Sequence, residues 1–153
     1  MERTLIAADG SAAGNPGPGG WAWYVNDDHW SAGGEPGTTN NRMEISAVID
    51  AISANNGALH ILCDSRYVVD AATGWMRGWK RRGWCKADGT EIKNRDLFER
   101  LDSVLAGRDV VFEWVRGHNG HVLNEAADVR ARSAAEAVRD RREIRTGPAS
   151  SAA

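Results

Sequence analysis

No helix can run through residues 14–20, a run of glycine and proline, Gly14-Asn15-Pro16-Gly17-Pro18-Gly19-Gly20, that comes soon after a short apolar stretch. Four glycines and two prolines in seven positions support only a turn or an irregular loop. Thr4 to Ala8 is apolar and ends at Asp9-Gly10, which reads as a strand running into that loop. Trp21 to Val25 and Trp30 to Gly34 flank Asn26-Asp27-Asp28-His29, a polar turn, so an antiparallel hairpin is expected to continue the first strand.

Beyond Pro36-Gly37 the period changes. Ile45, Val48, Ile49 and Ile52 fall at helical spacing between Asn41 and about Asn55, and Asn56-Gly57 stops that helix. Leu59 to Cys63 reads as a buried strand ending at Asp64, and Ser65 opens a second helix through Tyr67, Val68, Val69, Ala71 and Ala72. A short basic helix is expected between Gly74 and Trp84, where Trp75, Trp79 and Trp84 interleave with Arg77, Lys80, Arg81 and Arg82. Leu97, Phe98, Leu101 and Leu105 define an amphipathic helix over 94–105, Asp109 to Val115 a strand, and the Ala-rich stretch from Asn124 to about Arg142 a last helix. A meander followed by strands alternating with helices predicts an α/β fold: a mixed five-stranded sheet, three antiparallel strands and then parallel ones, flanked by helices.

The chain's 153 residues fit one domain, expected over 1–142; the remainder, 143–153, is expected to be disordered, since nothing after Thr146 has bulk to bury. No apolar run approaches the roughly 20 residues that span a bilayer, and Met1-Glu2-Arg3-Thr4 opens without a signal-peptide apolar region. A cytoplasmic monomer without a membrane partner is the expectation. Cys63 and Cys85 show no C-x-x-C spacing, which argues for free thiols over a thiolate metal site.

The net charge of −2 argues against nucleic acid only if evenly spread, and it is not. Between Arg77 and Arg95 the cations Arg77, Lys80, Arg81, Arg82, Lys86, Lys93 and Arg95 face only Asp88 and Glu91. Four acids fall at the ends of other elements: Asp9 and Asp64 close strands, while Glu44 and Asp128 lie in the opening turns of helices. If the two strands are parallel neighbours joined by a right-handed crossover, both aspartates emerge at one sheet edge, where open α/β folds bind ligands. A four-acid cluster needs cations, and oxygen donors alone suit Mg²⁺ or Mn²⁺ rather than zinc. Each acid also has a purely structural reading: Asp9-Gly10 as a turn dipeptide, Asn41-x-x-Glu44 as a capping box, Asp64-Ser65 as an N-cap pair, and Asp128 with Arg132 as a surface pair.

The surrounding residues are what those structural readings leave unexplained. Asp9-Gly10-Ser11 with the Gly/Pro loop, Thr38-Thr39-Asn40-Asn41-Arg42-Met43-Glu44, Cys63-Asp64-Ser65-x-Tyr67-Val68, Gly78-Trp79-Lys80-Arg81-Arg82-Gly83-Trp84, and Gly117-His118-Asn119-Gly120-His121 with Asn124, Glu125 and Asp128 together resemble the motifs of type 1 ribonuclease H, in the family's order over about residues 3–136. The resemblance implies hydrolysis of the RNA strand of RNA/DNA hybrids by a two-metal-ion mechanism, leaving 5′-phosphate and 3′-hydroxyl ends. It implies two Mg²⁺ ions, replaceable by Mn²⁺, on Asp9, Glu44, Asp64 and Asp128, with His118 as a loop histidine able to accept or relay a proton. His121 ranks second, as a loop-shaping residue.

By the same resemblance Asn15 and Asn40 contact the nucleic acid, Thr39 holds a DNA-strand phosphate, and Lys80, Arg81 and Arg82 form a basic handle. Arg66 stands where many bacterial members carry a glutamine thought to touch the nucleic acid. Of the tryptophans, two are expected to pack, with Trp79 open to substrate contact. Val122 replaces a common proline, and the hairpin between Gly20 and Thr38 is short. Two other readings stay open: a different nuclease of the same superfamily, and a hybrid-binding module without activity.

Overall fold

The computed structural model describes residues 2–117 and 119–147. Its sheet has five strands in the order β3-β2-β1-β4-β5: β1 (Thr4–Ala12), β2 (Gly17–Asn26), β3 (His29–Thr38), β4 (Leu59–Cys63) and β5 (Val110–Trp114). β1, β2 and β3 pair antiparallel, whereas β4 joins β1, and β5 joins β4, in parallel. This is the expected mixed sheet. The first three strands are longer than expected: β1 runs through Asp9-Gly10 to Ala12, and the glycines from Gly17 on pair within β2 rather than forming a turn. Gly19 and Gly20 are tolerated there because each meets a close neighbour, Thr38 or the backbone of the last helix, that leaves no space for a side chain.

Alternation along β1 divides the core. Ile6 and Ala8 face α1 (Asn40–Ala54) and pack with Ile45, Val48, Ile52 and Ile61, whereas Ala7 packs with Leu62 and Ala127 of α5 (Val122–Arg139) on the opposite face. Each fully buried isoleucine contributes about 1.5–3 kcal/mol relative to exposure, so the α1 face dominates stability. The α5 face is built differently. Ala22 and Ala32 of the sheet meet Ala131 and Ala134 of the helix, and small residues on both sides let α5 lie close over β1, β2 and β3.

Helix capping differs from one expectation. Thr39 is the N-cap of α1, its hydroxyl accepting from Arg42 N at 3.2 Å, so Glu44 is not used as a capping residue. Ser65 caps α2 (Arg66–Asp70), accepting from Val68 N at 3.3 Å. The second helix does not end near Ala72: a π-helical turn, Ala71–Trp75, joins α2 to α3 (Met76–Arg81). Met76 anchors this stretch in the core, and Trp79 packs on Phe98 of α4 (Arg95–Leu105) at 5.1 Å between ring centroids. Tertiary packing thus carries the helix past Gly74, where local propensity alone suggests a break.

Cys63 and Cys85 are both free, as expected. Within 143–147, the described part of the expected tail, Ile144 lies on the alanine patch of Ala22, Ala32, Ala131 and Ala134 and Gly147 stands against Trp30. The rest of the expected tail, 148–153, lies outside the described residues. No described helix is long and apolar enough to cross a membrane.

Candidate active site

The parallel pairing of β1 with β4 matches Thr4 to Leu59 and Ala8 to Cys63, a constant offset of 55. One step further along both strands stand Asp9 and Asp64. Glu44 reaches them because α1 crosses β1 at Gly10: a Cβ there would lie 2.5 Å from the Met43 carbonyl carbon and overlap the Glu44 backbone nitrogen. Only glycine permits this approach. The carboxylates of Asp9, Glu44 and Asp64 consequently offer oxygens that all lie within 4.8 Å of one another.

Asp9 is 3% exposed and Glu44 7%. Burial pushes the Asp9 carboxyl up to about 8; the proximity of Asp64 and Asp128 adds to this, while a hydrogen bond with Glu44 opposes it. Burial and then the Asp9 charge raise Glu44 well above the usual carboxylate range. Asp128 is near enough to Asp9 to raise its proton affinity. Its other neighbour is Arg132, whose Nη2 lies 3.0 Å from Asp128 Oδ2, so the i,i+4 pair legible in the sequence coexists with proximity to the acid cluster. At the far rim, Gly117 approaches Asp64 so closely that a Cβ would sit 2.8 Å from Asp64 Oδ2.

Several desolvated carboxylates that raise one another's proton affinity are the environment a divalent cation relieves. The donor set is all oxygen, the preference of Mg²⁺ and Mn²⁺. The nearest sulfur, Cys63 Sγ, is 3.8 Å from Glu44 Oε2 and fully buried. Burial and the Glu44 charge push this thiol up, so it serves Glu44 as a hydrogen-bond donor. The residues therefore fit a hard cation. Sequence reasoning did not single out this thiol, although its place immediately before Asp64 was the available signal.

The other candidates surround this cluster unevenly. Asn40 Oδ1 accepts from Ala12 N at 2.7 Å and Asn40 N donates to Asn15 Oδ1 at 3.3 Å, so the two asparagines tie the Gly/Pro loop to the start of α1. Thr39 spends its hydroxyl on the α1 cap. The Arg66 guanidinium stacks on Trp114 at 4.6 Å, and Trp114 Nε1 donates to the Asp64 carbonyl at 3.1 Å, an arrangement sequence reasoning missed because it joins α2 to the end of β5.

In the handle, Lys80 pairs with Asp102 at 3.1 Å, Arg82 Nε donates to the Cys85 carbonyl, and Arg81 is exposed. Trp79 and Trp84 pack against the core while Trp75 is 46% exposed, so the least buried indole of the three is not the one expected. His118 lies outside the described residues. His121 precedes α5 as its N-cap residue without a capping side-chain bond; His29 bonds Asn55, and His60 pairs with Glu113 on the sheet surface rather than lying buried.

Comparison with known proteins agrees with this arrangement. The RNase H family model matches residues 1–136. A Ribonuclease HI of Caulobacter vibrioides is 48% identical over 134 residues, covering 84% of this chain and 90% of its own. A Ribonuclease H of Herminiimonas arsenicoxydans is 46% identical over 143 residues, covering 90% and 98%. Among solved structures, LC9-RNase H1, described as a type 1 RNase H with the type 2 active-site motif, superposes with a TM-score of 0.76 at 31% identity, covering 97% of this chain and 77% of that one. From its sheet order to its acid cluster and its kinship over most of its length, the chain belongs to the RNase H family.

Proposed function

We propose that this chain hydrolyses the RNA strand of RNA/DNA hybrids, with Asp9, Glu44, Asp64 and Asp128 holding two divalent ions, Mg²⁺ with Mn²⁺ as a substitute. The observation that carries this reading is the meeting of Asp9, Glu44 and Asp64 within 4.8 Å at one end of a parallel strand pair. Divalent ions bound there would supply charge neutralisation for the phosphodiester and a lowered pKa for the attacking water.

The protein's own residues supply the rest. The buried Asp9 and Glu44 keep their carboxylates in a low-dielectric pocket, where their interaction with a cation is stronger than in water. Asn15 and Asn40, held to each other and to the strand end, present a pre-ordered polar edge to the hybrid. Discrimination of hybrid from DNA duplex requires sensing of 2′-hydroxyls on one strand, and these two amides are the candidates for it. Arg66, Trp79, Lys80, Arg81 and Arg82 would line the path of the duplex, their cations contacting phosphates without reading sequence. Thr39 would present the start of α1 to a DNA-strand phosphate. His118 would take up the proton released on attack or deliver one to the departing 3′-oxygen, leaving 5′-phosphate and 3′-hydroxyl ends.

Cleavage of a labelled RNA/DNA hybrid, compared with DNA and RNA duplexes of the same sequence with and without Mg²⁺, tests the proposal. Cleavage confined to the RNA strand of the hybrid and dependent on Mg²⁺ is expected. Tight hybrid binding without cleavage would replace it with a binding module.

A further inference from the structure

The flank of α5 turned away from Asp128 carries a half-open pocket. Trp30 of β3, Val129, Arg130 and Ser133 of α5, and Arg145 of the C-terminal segment line about 230 Å³. Arg130 lies two positions after Asp128, roughly 200° round the helix, so the cavity is separate from the acid cluster. Two guanidinium groups and a hydroxyl line it, and no carboxylate does among the described residues.

Arg130 is fixed in advance. Its guanidinium carbon stands 4.5 Å from the Tyr24 ring centre and 4.7 Å from that of Trp30, and Nη1 donates to the Ala126 carbonyl at 3.1 Å. The carboxylate that comes nearest, Asp27, is 3.6 Å from Nη2, long for a charged hydrogen bond, and already accepts from the Tyr24 hydroxyl at 2.6 Å. Arg130 Nε is buried and has no hydrogen-bond partner among the described residues, whereas 24% of the side chain is exposed, so an anion is met by the rest of the guanidinium and not by Nε. The conformational freedom of this side chain has already been given up to the two aromatic rings, so an arriving acceptor has little left to order.

We infer that this cavity binds a small phosphate oxyanion, free or as a monoester, through Arg130, Arg145 and Ser133. Paired guanidinium groups favour phosphate because their N–H forks match its oxygens. The volume admits one phosphate group with a small substituent against Val129 and the Trp30 edge.

The test uses the full chain in chelator-containing buffer, where the acid cluster repels anions, at constant ionic strength set with chloride. Inorganic phosphate and methyl phosphate, a monophosphate with a small substituent, are titrated separately, following the Arg130 side-chain N–H resonances by NMR and the thermal midpoint. Saturable movement of those resonances is expected, with the midpoint raised by about 3–6 °C at tenfold excess over Kd. Tighter binding of the monophosphate assigns the site to monoesters, and equal binding assigns it to the free anion. Arg145→Gln and Ser133→Ala, both exposed and spared the packing role of Arg130, should each weaken binding, Arg145→Gln by about fivefold. Arg77→Gln, outside the cavity, should leave it unchanged. A linear titration, or equal weakening by Arg77→Gln and Arg145→Gln, overturns the inference.

Discussion

Glu44 reaches Asp9 through a contact that tolerates no side chain at Gly10, where a Cβ would lie 2.5 Å from the Met43 carbonyl carbon. The acid cluster is thus coupled to the packing of α1 on β1. Gly10→Ala should push the helix outward, costing about 1–3 kcal/mol of stability as an overpacking change. It should also lower kcat by about 100-fold, since a shift of about 1 Å in a catalytic group has that effect. Thermal unfolding and steady-state hybrid cleavage measure the two. A variant as active as the parent would show that Glu44 does not depend on this contact.

Asp9→Asn should abolish cleavage and yet stabilise the metal-free protein. The Asp9 carboxyl is raised from 3.8 to about 8 in the folded state, chiefly by burial. The folded form therefore holds its proton more tightly than the unfolded form does. That contribution is fully present below about pH 4, is lost as pH rises towards 8, and then stays constant. In chelator, the parent should lose stability across this interval, whereas the asparagine variant should lose less and be about 1–3 kcal/mol more stable at pH 8. Mg²⁺ should recover part of the parent's loss. Melting curves from pH 5 to 8 that fall equally for both proteins would count against a desolvated Asp9.

How much of this was legible depended on distance along the chain. Asp9 and Asp64 could be paired from the sequence because strand ends and a right-handed crossover fix their relation, and the constant offset between β1 and β4 carries it through. Glu44 could be placed on a helix by spacing, but a capping role fitted equally well; the deciding contact runs through Gly10, more than thirty residues earlier. Asp128 read as a surface pair with Arg132, which it also is. What brings α5 close enough for Asp9 is the meeting of Gly20 with the Ala131 carbonyl, and no periodicity reports that. The fate of the tryptophans was equally non-local, since Trp79 finds Phe98 on a helix that begins beyond the handle. Ile144 likewise finds its alanine patch on elements assembled from three distant segments.

Arg132 should act on catalysis through Asp128. The pair at 3.0 Å is more than half exposed on the arginine side, and exposed ion pairs contribute about 0.2–1 kcal/mol. Arg132→Ala should therefore reduce kcat by no more than about fivefold, leave KM for the hybrid little changed, and raise the Mg²⁺ concentration needed for half-maximal rate. Arg132→Lys should recover most of the loss. A fall in KM-dependent binding alone, with kcat and metal requirement intact, would move Arg132 from positioning Asp128 to contacting the duplex.

Among the proposed substrate contacts, Arg66 has a defined seat beside the acid cluster. Its guanidinium is parked on Trp114, whose indole N–H is anchored to the Asp64 carbonyl, so a permanent positive charge is held beside the acid cluster. A glutamine there could exchange hydrogen bonds with a base edge but would release no counterion. If Arg66 meets a phosphate, Arg66→Gln should weaken hybrid binding at low salt and reduce the slope of log Kd against log salt by about one. Because hydrogen bonds to bases depend little on salt, an unchanged slope with weaker binding would instead assign Arg66 to base or sugar contact. Trp114→Phe separates the anchor from the charge: it keeps a ring under Arg66 but removes the bond to Asp64. Its expected signature is a lower kcat with the salt slope intact, the opposite pattern to that of Arg66→Gln.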